Sequence, residues 1–256
     1  MFGLRRRREP PSGPFYKQRG WVSAVMFLGF VLVMSLIALV AGPEIEDDSE
    51  KSRKELDGVS GPLSPGDPQQ VRDGRDGRPR NCRTDDGDQE QPRSAPTDVT
   101  WRKRVALMVP VSPKAGPLRT DEPGMWWCFA RTPTGAVMAA HLIPVQVSGA
   151  DWRTAAEQQI VPGKERDMFV TAKARAGASP PTEVGRFVGF SLDSYSRGAA
   201  TVRLLLTRPS GGYLSTSVSL RWRDGDWKVA LQEGSLYSPA KQGQPDGFAM
   251  WGAARG

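Results

Sequence analysis

The sequence predicts an α+β domain carried outside a membrane on one N-terminal helix, and three observations lead there. Trp21 to Ala41 is an apolar run without a charged residue; apolar residues between Thr132 and Ala176 recur at helical spacing; after Pro180-Pro181 they alternate. Helices followed by a run of long strands is the order of an α+β fold, with three helices packed on one face of a curved antiparallel sheet.

The apolar run comes first. About 20 residues rising 1.5 Å each cross a hydrocarbon core of roughly 30 Å, so residues 21–42 are expected to form a transmembrane helix. Arg5, Arg6, Arg7, Arg8, Lys17 and Arg19 precede it, and Glu44, Glu46, Asp47, Asp48 and Glu50 follow it. That bias keeps a basic tail, residues 1–20, in the cytoplasm and the rest of the chain outside. A cleaved signal peptide is the alternative, opposed by the length of the run and by Leu39 where a small residue is needed. The net charge is +7, but much of the excess lies in the N-terminal Arg run, whose expected partner is anionic lipid. Direct nucleic-acid binding is not expected.

Residues 43–97 are rich in Asp, Gly, Pro, Ser, Glu and Arg and poor in large apolar side chains, the composition of a disordered linker. Folded sequence is expected over residues 98–240, one domain of ordinary size, with a flexible tail over 241–256. Cys82 in the linker and Cys128 in the MWWCFAR cluster both fall on the external side, where disulfides persist. A bridge between them would close a loop of about 45 residues and contribute roughly 4 kcal/mol. A buried free Cys128, with Cys82 used between chains, is the other reading. Two cysteines and one histidine do not make a four-ligand zinc site, and neither metal nor cofactor is expected.

Within the domain, Val99 to Val109 has β-rich composition and stops before Pro110 and Pro113, so one strand or extended lead-in is expected. Thr132 as N-cap and Pro133 as first helical residue start a helix through Val137, Met138, Ala140, His141 and Leu142, which Pro144 kinks or ends. Asp151 caps a second helix carrying Trp152, Ala155, Ala156, Gln159 and Ile160, closed by Pro162. A third carries Met168, Phe169, Ala172 and Ala176 and stops at Gly177. Strands follow over Val184 to Tyr195 and Ala200 to Leu206, then a turn at Arg208 to Gly212. From Leu214 to Trp222, Leu214, Thr216, Val218, Leu220 and Trp222 share one face. Asp224-Gly225 is a type I′ hairpin turn, and Trp227, Val229 and Leu231 continue the apolar face on the returning strand.

One anchor, a polar stalk, three helices and a curved antiparallel sheet resemble the bitopic scaffold subunits of type IV secretion and conjugation machines. Cys82 to Trp101 (CRTDDGDQEQPRSAPTDVTW), Cys128 to Ala140 (CFARTPTGAVMAA) and Trp222 to Leu231 (WRDGDWKVAL) are more specifically similar to a family of actinobacterial membrane proteins carried with integrative conjugative elements. The resemblance implies an external domain of nuclear transport factor 2-like cone fold, contacts with other conjugation-channel subunits and, as an open question, self-association. It implies no catalytic residue.

His141 is the only histidine, so any serine or cysteine nucleophile scheme must use it. Its place among Val137, Met138 and Leu142 suits a hydrogen-bonded core or groove residue better. An acid–base set of His141, Asp193 and Arg186, of the kind some cone-fold enzymes use, is the enzymatic alternative. Glycine pairs such as the one in GVSGP do not match a phosphate-binding loop. Trp126, Trp127, Trp222 and Trp227 could line a ligand cavity or a partner surface, although aromatics at alternating positions of a small domain belong more often to the core. Trp126, Trp127, His141, Tyr195 and Tyr213 are the candidate partner or pocket residues. The expectation is a non-enzymatic, single-pass membrane scaffold acting through protein contacts; the runner-up is an anchored module that binds a ligand of the cell envelope.

Overall fold

The structure is a computed structural model and describes residues 63–66, 68, 77–121, 124–176 and 185–252. All of them belong to the compact unit Lys54–Gly256. The expected transmembrane helix, the basic tail and residues 43–62 of the expected linker lie outside the described residues. Among the described residues, no helix is long and apolar enough to cross a membrane.

Among the described residues the architecture is mixed α+β with three helices. Strands β1 (Ser64–Pro65), β4 (Arg119–Thr120) and β5 (Trp126–Trp127) make a small sheet, and β2 (Thr100–Arg104) with β3 (Leu107–Val111) an antiparallel hairpin. Helices α1 (Pro133–Val147), α2 (Trp152–Gln159) and α3 (Lys164–Ala176) come next. The main sheet contains β6 (Arg186–Ser196), β7 (Ala199–Thr207), β8 (Tyr213–Arg223), β9 (Asp226–Val229), β10 (Lys241–Gln242) and β11 (Ala249–Met250).

Helix α1 is the centre of the domain. The Thr132 hydroxyl accepts from the Gly135 amide at 3.0 Å, and every residue but Thr134 is buried. A helix apolar on all sides belongs in a core, and that packing carries α1 through Pro144 to Val147 although the proline removes a backbone donor. Asp151 stands at the N-cap of α2, but its side chain makes no capping hydrogen bond. Helix α3 has no buried residue, and Met168 is 61% exposed; only Phe169 and Val170 pack partly against the core.

Strands β6 to β9 form the expected meander, with Phe190, Ala200, Val202, Leu204, Val218, Leu220 and Trp222 buried in the core. Asp224 (φ 54) and Gly225 (φ 77) turn β8 into β9. Glycine is required at the second position, since a Cβ there would meet Arg78 Cα at 2.2 Å. Val99 to Val109 is a hairpin rather than one strand, because the chain reverses at Val105-Ala106 and pairs Thr100 with Val111.

Both ends of the domain extend beyond the boundaries read from composition. Residues 77–97, expected as disordered linker, pack on the domain, and Ser64–Pro65 pairs with β4. The expected flexible tail forms β10, beside β8, and β11, beside β6 on the opposite edge of the sheet. Between them the chain crosses the sheet face that carries Leu205: a Cβ on Gly243 would meet the Leu205 side chain, and the Phe248 ring lies 5.1 Å from the Arg203 guanidinium. Trp251 then inserts into the core, its amide donating to the Val188 carbonyl at 2.9 Å. Sheet-edge pairing and one tryptophan order a segment whose composition alone does not.

Candidate functional site

The stretches Cys82–Trp101, Cys128–Ala140 and Trp222–Leu231 meet at one end of the domain. Cys82 and Cys128 form a disulfide with Cα atoms 5.5 Å apart, and both are buried. The Asp86 carboxylate accepts from the Thr84 hydroxyl at 2.8 Å, the Arg131 amide at 2.7 Å and the Arg78 guanidinium at 3.0 Å. Gln89 donates to the carbonyls of Asp86 and Arg131, and the Tyr195 hydroxyl lies 3.0 Å from Gln89 Oε1 and 3.1 Å from the Arg131 carbonyl oxygen. Hydrogen bonds therefore replace buried apolar area in fixing residues 77–97 to the domain.

Asp226 is the hub of the third stretch. Its carboxylate accepts from the amides of Cys128 (2.8 Å), Phe129 (2.9 Å) and Trp227 (2.9 Å), which holds Cys128 at φ 72. Successive N–H groups converging on a carboxylate form an anion nest. Loss of solvent raises the Asp226 carboxyl above the ordinary carboxylate range, while those amides and Arg78 pull the other way. Beside it, Trp222 lies under the guanidinium groups of Arg78 (4.9 Å) and Arg131 (5.2 Å), a cation–π arrangement.

A cleft of about 220 Å³ opens next to this cluster, with Met125, Trp127, Gln158, Asp224, Asp226 and Lys228 among its walls. Lys228 is neutralised by Asp224 at 3.3 Å and donates to the Gln158 carbonyl at 2.7 Å. Two buried glutamines hold the adjoining strand: Gln146 accepts from the Trp126 amide at 2.6 Å and donates to its carbonyl, to which Gln159 also donates. The cleft thus has a fixed wall with acceptors from three carboxylates, since Glu157 also lines it.

The chain belongs to the DUF8175 family. The family model, described as a domain of unknown function, matches residues 64–250, a span that begins on β1 and ends on β11. No curated protein and no solved structure matches the chain.

The five candidate residues do not share one surface of this DUF8175 domain. Trp127 alone reaches the cleft, and its indole donates to the Gly66 carbonyl at 3.2 Å. Trp126 is half-buried, with the Arg104 guanidinium 5.4 Å from its ring. Tyr195 packs against Trp227 with ring centroids 6.1 Å apart, and burial raises its hydroxyl pKa. Tyr213 lies at the other end of the sheet: the partners of the two tyrosines on β7 are Ala200 and Thr207, about 23 Å apart at 3.3 Å per residue.

His141 is a core residue. Its Nδ1–H donates to the Val137 carbonyl at 2.8 Å, so Nε2 is the acceptor for the Trp251 indole N–H at 3.1 Å. Phe187, Phe190 and Trp251 surround the ring, and burial holds its pKa down to about 4. Asp193 instead pairs with Arg203 at 2.7 Å on exposed surface, and Arg186 stands at the start of β6. The acid–base set of His141, Asp193 and Arg186 is not assembled. Asp86, Asp226, Gln146 and Trp251 are not legible as functional or organising residues, because each acts on a partner 20 or more residues away; only the acidic residue directly after the DG turn offers a signal.

Proposed function

We propose that this DUF8175 protein is a single-pass membrane scaffold of a conjugation, type IV secretion-like apparatus, working through protein contacts of its external domain. The observation that carries the reading is the convergence of the three stretches that resemble the mobile-element family: their polar residues are spent on holding one rigid end of the domain, not on presenting a nucleophile and base. The buried Cys82–Cys128 bridge suits a domain outside the cytoplasm. Three helices beside a four-strand meander are compatible with a nuclear transport factor 2-like cone, here with α1 filling the space between helices and sheet. A ligand-binding module of the envelope is the second reading, and the cleft beside Trp127 and Asp226 favours it. Deleting the gene from its element and measuring transfer, with complementation, tests the proposal. Transfer should fall and be restored by the intact chain; unchanged transfer contradicts the scaffold. A reporter active only outside should work after Gly256 and fail before Trp21.

A further inference from the structure

We propose that the β2–β3 hairpin is a docking element for an anionic lipid surface. The segment Trp101–Met108 reads WRKRVALM, with three basic residues and no acidic one. Arg102 and Lys103 are exposed, Lys103 stands opposite Met108 in the register, and Met108 is 41% and Val105 46% exposed. Val105 occupies the turn at φ 53, a region that is an outlier for a β-branched residue and free of cost for glycine. One side of the valine rests near Gly149, where an added Cβ would meet its Cγ2 at 2.9 Å, and the exposed side offers an apolar surface beside Arg102 and Lys103, while Asp151 and Asp121 act on Arg104. Basic residues with an aliphatic tip fit the headgroup and acyl boundary of a bilayer, whereas phosphate contacts along a nucleic acid have no use for the valine and methionine.

The path of the chain selects the same partner. Arg104 lies over Trp126; Trp126 pairs with Thr120, and Thr120 with Pro65. Pro65 is thus two strand spacings, about 10 Å, from Trp126, so the chain enters the domain beside the hairpin. From Ala41 at the end of the apolar run to Leu63 there are 22 residue steps, a reach of at most about 75 Å. For this proximity the inference rests on the anchored reading above. A tether of that length keeps the domain at high effective concentration near the bilayer, so a weak contact suffices. Each basic residue near an anionic surface contributes about a fivefold gain in partitioning, and Arg102 with Lys103 about 25-fold.

The test uses the full chain reconstituted in vesicles of phosphatidylcholine, with or without phosphatidylglycerol. Both natural cysteines are in the buried disulfide, so Ala106→Cys at the turn accepts a single environment-sensitive fluorophore, and Gly198→Cys at the β6–β7 turn is the control. The Ala106 label should shift to the blue and be quenched by nitroxide lipid only with phosphatidylglycerol, and high salt should reverse this. Replacing Arg102 and Lys103 by Ser should lower the ratio of docked to free domain about 25-fold. Val105→Gly should weaken docking while leaving or raising Tm, which separates the contact from folding. No shift in either vesicle, an equal shift at Gly198, or a response to oligonucleotide in place of phosphatidylglycerol would overturn the proposal. Carbonate extraction keeps the two readings apart. A chain that resists extraction but shows no shift sinks the docking alone. If carbonate releases the chain, the anchor fails, and docking then stands if the Ala106 label of the released chain, and not the Gly198 label, shifts with phosphatidylglycerol vesicles in a salt-sensitive way, and falls if it does not; flotation alone does not decide, because the N-terminal Arg run also binds anionic lipid.

Discussion

Acidification should unlatch the C-terminal segment through His141. The folded state holds this imidazole neutral, with a pKa of about 4, because burial removes the solvent its charged form needs, against a smaller opposing pull from the Val137 carbonyl; protonation would also place an Nε2 proton against the Trp251 indole N–H. The unfolded chain titrates near 6.5. Between those values the unfolded state binds more protons, so stability rises with pH across the window and is lost as pH falls from 6.5 towards 4. Two and a half units at 1.36 kcal/mol each amount to about 3 kcal/mol. A His141→Gln variant removes the titration and, at pH 7, costs about 1–2 kcal/mol for the lost hydrogen bond to Trp251. Urea unfolding followed by tryptophan fluorescence at half-unit steps from pH 7.5 to 4 should therefore show the two stability curves converging and crossing. Taking the difference between the proteins removes the opposing pull of Asp226, whose raised carboxyl pKa adds stability as pH falls. A difference that stays flat over the window would refute the assignment of His141 as a buried neutral acceptor.

Replacing both Cys82 and Cys128 by Ser opens a loop of 46 residues, and the unfolding free energy should drop by about 4 kcal/mol; an unchanged denaturation midpoint would count against the staple. Asp226→Ala leaves the Cys128 and Phe129 amides without their acceptor and should cost about 2–5 kcal/mol, with Asn milder because one oxygen still accepts. Ending the chain at Ala240 removes β10, β11 and the Trp251 side chain. The loss of buried tryptophan alone should cost about 3–5 kcal/mol, and proteolysis within β6 should become faster than in the full chain.

The parts of the fold legible in the sequence are those with a local cause. Thr132-Pro133 starts α1, alternation from Leu214 to Trp222 marks β8, and Asp224-Gly225 sets the hairpin, each through neighbours a few residues away. Residues 77–97 and 241–251 depart from the expected disorder because composition measures buried apolar area, while these segments are ordered by Asp86, Gln89, the disulfide and backbone pairing with sheet edges. The hairpin at Val105 escaped because the turn contains none of the usual turn residues. At the site, Trp127 was legible as an aromatic beside a cysteine, whereas the cleft it lines depends on Asp226 and Lys228, nearly 100 residues later. His141 read as a core residue for a local reason, its apolar helical neighbours, but its partner Trp251 lies 110 residues away.

Transfer frequency of the element, measured together with membrane-resident protein level in His141→Gln and Trp222→Ala strains, tests most directly whether a surface or a site carries the activity. Trp222→Ala should cost about 3–5 kcal/mol, comparable with the stability of a small domain, so level and transfer should collapse together. In His141→Gln both should fall only slightly and in proportion. A His141→Gln protein that accumulates normally and transfers nothing would contradict the scaffold account.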